Sequence, residues 1–125
     1  MHLFNPKTLD RHIAYPDSLP ASHEALLKEW SELIRSGRIT GLKETALHGD
    51  FKAKIVEGVL GYVSAVVSPD HTVTSEQSIL SGSVDLALGH FGPQRSQILA
   101  PFELKGARTK DLDAIMPGRA KSPVQ

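Results

Sequence analysis

Three turn signals divide the second half of the chain: Ser68-Pro69-Asp70, Ser81-Gly82-Ser83 and Gly92-Pro93-Gln94-Arg95. Between the first two, His71 to Ile79 alternates, with Val73, Ser75, Gln77 and Ile79 against Thr72, Thr74, Glu76 and Ser78. That period of two is the pattern of a strand. The tight Ser81-Gly82-Ser83 connection leads into a second strand, Val84 to Phe91. The Gly92-Pro93 turn leads into a third, Gln97 to Lys105, rich in Ile, Leu and Phe. Short connections of this kind predict three antiparallel strands.

Two helices are predicted upstream. Ser22 is placed to cap the first, and Glu24 suits its first turn. Leu26, Leu27, Trp30, Leu33 and Ile34 then form an apolar stripe at helical spacing, with Trp30 as core anchor and Gly37 as stop. Thr40 is placed to cap a second helix from about Leu42 to Leu60, whose stripe is Leu47, Phe51, Ile55 and Val59. Glu44 and His48 lie beside that stripe, at its N-terminal end. Gly49 and Gly58 within it cost about 1 kcal/mol each relative to Ala, so tertiary contact has to compensate. Residues 1–21, with Pro6, Pro16 and Pro20, read as an extended N-terminal arm.

At 125 residues the chain supports one domain, and 40% apolar with 22% charged residues fits an ordinary globular one. There is no cysteine, which excludes disulfides and thiolate metal sites and suits the cytoplasm. Met1 to Pro6 lacks the layout of a signal peptide, and no apolar run approaches the ~18 residues of a membrane span. Fourteen basic residues balance fourteen acidic ones, without the basic excess of a dedicated nucleic-acid binder. From Lys105 onward, however, five basic residues (Lys105, Arg108, Lys110, Arg119, Lys121) face only Asp111 and Asp113. That end is able to attract a phosphate backbone locally.

The candidate chemistry sits on the second and third strands. Glu103 and Lys105, two apart on a strand, point to one face. Leu104 points to the other and leaves its carbonyl free as an oxygen ligand. A hairpin through Gly92-Pro93 brings Asp85 opposite. Two carboxylates and a carbonyl suit magnesium, which takes oxygen ligands and keeps several waters. Such an ion lowers the pKa of bound water and neutralises charge developing on phosphate. Lys105 would orient the attacking water, stabilise the transition state or act as base.

Asp followed one hairpin later by Glu-x-Lys resembles the signature of the PD-(D/E)xK nuclease fold. Ala46-Leu47-His48-Gly49-Asp50-Phe51 with Leu60-Gly61-Tyr62, then Val84 to Phe91, then Phe102-Glu103-Leu104-Lys105-Gly106 resemble the N-terminal nuclease region of type IIG restriction enzymes. Those enzymes fuse an endonuclease to an adenine-specific DNA methyltransferase. The resemblance covers roughly residues 42–125. It implies an α/β restriction-endonuclease-like core, with residues 22–125 a partial nuclease domain and 106–125 a loop leading to a missing helix, which in the family opens near Gln125. It further implies Asp85 and Glu103 as metal-binding acids, Lys105 as catalytic lysine and Glu44 as an acid joining the metal's shell through water, with Glu76 at the same rim. Double-stranded DNA would be the partner. S-adenosylmethionine would be used only by the methyltransferase part, which lies outside this chain. An open-edged three-stranded sheet with two helices has a thin core, so the chain reads as part of a longer polypeptide.

Plainer readings stand beside these. Glu103 and Lys105 would be a solvent-facing pair on an edge strand, Glu44 a solvated first-turn residue, and His48 and Asp50 surface residues. The six histidines form no ligand pair at helical or strand spacing. Gly82, Gly89 and Gly92 belong to hairpin connections rather than a phosphate loop. Arg108, Lys110 and Arg119 are either a solvated loop or a phosphate grip. At the level of the whole protein, two other classes stay open: an inactive structural or docking module of a DNA methyltransferase, and an unrelated small interaction domain.

Overall fold

The computed structural model describes residues 5–14, 17–79 and 82–109. Ser81 of the first hairpin turn, Lys110, Arg119 and the helix expected at Gln125 lie outside the described residues. The described chain is mixed α and β: three helices followed by a three-stranded antiparallel sheet in the order β1-β2-β3. No helix among the described residues is long and apolar enough to cross a membrane.

The sheet follows the turn signals. β1 (His71–Ile79), β2 (Gly82–Gly92) and β3 (Arg95–Phe102) pair consecutively. Gly92 pairs with Arg95, so Pro93 and Gln94 alone make the second turn. Both strand pairs slip register at one level, between His71 and Val73 against β2, and between Leu88 and Gly89 against β3. A side chain is not accommodated there, because a Cβ on Gly89 would overlap the Gln97 carbonyl oxygen. Gly89 therefore allows the close approach that the bulge requires.

β2 lies in the middle and is buried along Leu86, Ala87, Leu88 and Gly89. Leu86 and Leu88 form the core with Val73 and Val56, against which Phe51, Tyr62, Ala100 and Leu104 pack. Burying each Val or Leu side chain contributes about 1.5–3 kcal/mol.

The helices depart from expectation in instructive ways. The N-terminal arm contains α1 (Pro6–His12), because the Asn5 side chain accepts from the Lys7 N–H and Pro6 occupies the first helical position. α2 (Ala21–Arg35) starts before Ser22. Pro20 precedes it and its carbonyl takes the Glu24 N–H at 3.0 Å, so Ser22 lies inside the first turn and does not cap. Gly37, at φ 73°, stops the helix as expected. Thr40 is not a cap either: it sits in a 3-10 turn (Arg38–Gly41) and its hydroxyl donates to the Gly37 carbonyl at 2.8 Å. The α2 stripe is only half covered, with Leu26, Trp30 and Leu33 partly buried but Ile34 59% exposed.

α3 (Glu44–Asp50) runs directly into a π-helical stretch (Phe51–Glu57). This widening alters which residue reaches the core. At α pitch the stripe Leu47, Phe51 continues to Ile55; with i→i+5 turns it continues to Val56. Val56 is 3% exposed and Ile55 only half-buried. Lys52 and Glu57, five residues apart, form an ion pair at 3.2 Å that matches the wider turn. Gly61, at φ 78°, ends the element, and the Tyr62 N–H returns to the Val56 carbonyl at 3.1 Å.

α2 docks on this long helix at three points. Trp30 meets Phe51 edge-on at 5.7 Å. A Cβ on Gly58 would crowd the Leu26 side chain and the Lys54 carbonyl, so this glycine lets the helices approach. Gly49 makes no such contact. Finally, Lys54 donates to Glu29, which raises the pKa of the ammonium above its ordinary value.

Two measurements follow from this packing. Val56→Ala should cost about 2–3 kcal/mol in urea unfolding, clearly more than Ile55→Ala, whereas an unbroken α pitch would reverse the order. A raised folded-state pKa means the Lys54–Glu29 contribution is complete below the ordinary lysine range and lost as pH rises through the raised value. Wild type and Glu29→Gln should therefore differ in melting temperature at neutral pH and converge at strongly alkaline pH.

Candidate functional site

Sheet register places the acids. Leu86 pairs with Phe102, the last pair of the β2–β3 ladder, and Asp85 on β2 and Glu103 after β3 each lie one residue beyond it. On the other side, Ser75 pairs with Leu86 and Gln77 with Val84, which sets Glu76 level with Asp85. Glu76, Asp85 and Glu103 thus lie toward one end of the sheet, and each is held differently.

Asp85 is half-buried, and its Oδ2 accepts the Leu104 N–H at 2.6 Å. Lys105 Nζ donates to Glu103 Oε1 at 2.5 Å. Glu76 is exposed and departs from strand geometry at φ 51°, the one non-glycine residue with positive φ among those described. A residue other than Gly in this region is strained.

The Asp85–Leu104 bond also corrects the expected extent of the third strand. β3 ends at Phe102, three residues short of Lys105. Beyond Phe102 the chain gives its amide to a side-chain carboxylate rather than to a backbone carbonyl, so the ladder stops. Glu103 and Lys105 therefore lie just past the strand. Lys105 is still partly buried, and Leu104 packs against the core.

Glu44 arrives from the helical layer. It opens α3, where the helix dipole favours a carboxylate. A Cβ on Gly106 would sit 3.3 Å from its Oε2, so the carboxylate lies directly beside the Glu103–Gly106 segment. Arg108 holds that segment down: its Nε donates to the Thr40 carbonyl at 2.8 Å, just ahead of α3. His48 is half-buried rather than a surface residue, because one helical turn carries it under Glu44. Its Nε2 is shielded without a hydrogen bond, 3.6 Å from Glu44 Oε1. Asp50 is exposed, as expected.

The structure thus brings Asp85, Glu103, Leu104, Lys105 and Glu44 to one end of the sheet. Among the described residues no three His, Cys, Asp or Glu side chains lie close enough to hold an ion between them. The oxygens expected of the set are those of two carboxylates and a carbonyl. Asp85 Oδ1, Glu103 Oε2 and the Leu104 carbonyl have no hydrogen-bond partner among the described residues. These are hard oxygen donors of the kind magnesium takes alongside water. Each carboxylate also has its second oxygen held by a donor, the usual support of a metal ligand. Glu44 and Glu76 flank this set.

No family model, curated protein or solved structure matches the chain.

Sequence spacing missed one grouping. His71 and His90 lie on different strands, yet both line one cleft with Asp70 and Arg95. The signal was the hairpin itself: pairing His71 with Phe91 makes His90 its neighbour.

Asp85→Ala strands the Leu104 amide and should cost about 1–3 kcal/mol in chemical unfolding. Asp85→Asn keeps an oxygen acceptor for the Leu104 N–H, so its stability should stay within about 0.5 kcal/mol of wild type.

Proposed function

We propose that this chain carries a magnesium-dependent nuclease centre that hydrolyses DNA phosphodiester bonds, as part of a type IIG-like restriction-modification polypeptide. The observation supporting this reading is the bond from the Leu104 N–H to Asp85, which ties Asp85 to the Glu103–Lys105 segment, with Lys105 partly buried and three oxygen atoms left open. In this reading Asp85, Glu103 and the Leu104 carbonyl hold the cation, which supplies charge neutralisation at phosphate and a more acidic bound water. Lys105, held by Glu103, orients the attacking water and offers a positive charge to the transition state. Glu44 accepts a hydrogen bond from water at the rim. Arg108, exposed at the basic end, lies near the approaching backbone. Such a polypeptide works in the cytoplasm, on double-stranded DNA.

A second reading has its own observation. The Lys105–Glu103 ion pair and the Asp85–Leu104 bond already satisfy much of the constellation. A fold kept only as a docking module for a methyltransferase would retain those bonds for stability and need no cation.

Titration with magnesium or manganese separates the two. The nuclease reading expects a saturable rise in melting temperature that Asp85→Asn removes, and nicking of supercoiled DNA by the whole polypeptide. Lys105→Ala should lower nicking by about 10²–10³-fold, the scale of losing one charge-stabilising group, while leaving cation binding intact. Undiminished cutting by Lys105→Ala or Glu103→Ala overturns the site. A melting temperature indifferent to both cations favours the docking module.

A further inference from the structure

At the opposite end of β2 from Asp85, two clefts meet where both strand pairs are bulged. One encloses about 320 Å³ and is walled largely by apolar groups, including Leu60, Tyr62 and Leu99. The other spans about 260 Å³ and carries Asp70, His71 and Arg95 on its walls. Thr72 and His90 line both. Five residues at about 3.3 Å each separate His90 from Asp85, so the clefts are distinct from the proposed metal centre.

The charged groups of the second cleft are held in place by specific contacts. The His71 ring stacks on Phe91 at 5.5 Å, and its Nδ1 lies 3.0 Å from the Pro69 carbonyl. A carbonyl only accepts, so Nδ1 carries the hydrogen and Nε2 is the open nitrogen. A Cβ on Gly92 would overlap the Asp70 carboxylate, so the absence of a side chain there is what seats Asp70 at the strand end. Arg95 is anchored on Gln97, which pairs with His90 across the hairpin. The outcome is one acceptor, one fixed cation and two imidazoles beside an apolar slot that includes an aromatic ring.

We propose that these joined clefts bind a nucleoside 5′-monophosphate. Arg95 and His90 take the phosphate, Asp70 accepts from a sugar hydroxyl, and the base lies in the slot against Tyr62, Leu60 and Leu99. A planar guanidinium suits phosphate oxygens. A mostly apolar pocket with a few convergent polar groups is the usual form of a small-ligand site. Neither half alone accounts for a ligand with both an apolar ring and an anionic end.

The test is a chemical-shift titration of the chain with a nucleoside monophosphate, the parent nucleoside and inorganic phosphate. The monophosphate should bind most tightly, with shifts at His71, His90 and Leu99. Arg95→Gln should weaken it at least tenfold and remove phosphate binding. Leu99→Ser should weaken the monophosphate and leave inorganic phosphate unchanged. Arg95 and Leu99 are exposed, so both variants should melt like wild type. Inorganic phosphate binding as tightly as the monophosphate, or the nucleoside doing so, overturns the proposal. So does the absence of any shift at these residues at millimolar monophosphate.

Discussion

The structure depends on burial of the middle strand. Leu86, Ala87, Leu88 and Gly89 are withdrawn from solvent in succession, so β2 needs neighbours on both edges and cover over its leucines. β1 and β3 supply the edges, and the helix that ends at Glu57 supplies the cover through Val56. The position of Asp85 follows from this arrangement. It precedes Leu86, and a slip of one residue would turn that leucine out of the core. The same force that holds the hydrophobic residues in register therefore holds the carboxylate where the Leu104 N–H reaches it.

Much of this was readable from residue types. Gly92-Pro93 marked the hairpin, Gly37 marked a helix end, and the alternation of residues 71–79 marked the first strand. Gly58 was expected to need tertiary compensation, and Leu26 provides the contact. What was not readable depended on competition between distant groups. Ile55 is as apolar as Val56, and only the fit of a whole helix against a sheet selects the wider turn. Ser22 and Thr40 are both good capping residues, but Pro20 starts the helix earlier and Gly37 captures the Thr40 hydroxyl. Asn5 and Pro6 formed a start signal that was hidden by treating prolines as a mark of extended chain.

The candidate site divides in the same way. Asp85, Glu103 and Lys105 could be placed together from hairpin arithmetic alone. The end of β3 at Phe102 could not, because it arises when a side chain replaces a backbone acceptor. Glu44 reaches the segment through a contact with Gly106, a residue whose importance lies in the side chain it lacks. The burial of His48 was not legible, because helical spacing to Asp50 says nothing about what lies over the helix.

The widened helix carries one further consequence. A turn that spans five residues where four would close it holds a residue more than the backbone path requires. Phe51 and Val56 are the contacts the core uses, and the chain between them is slack in composition though not in conformation. Removing one residue between them would let the turn close at ordinary α pitch while leaving both side chains on the core face.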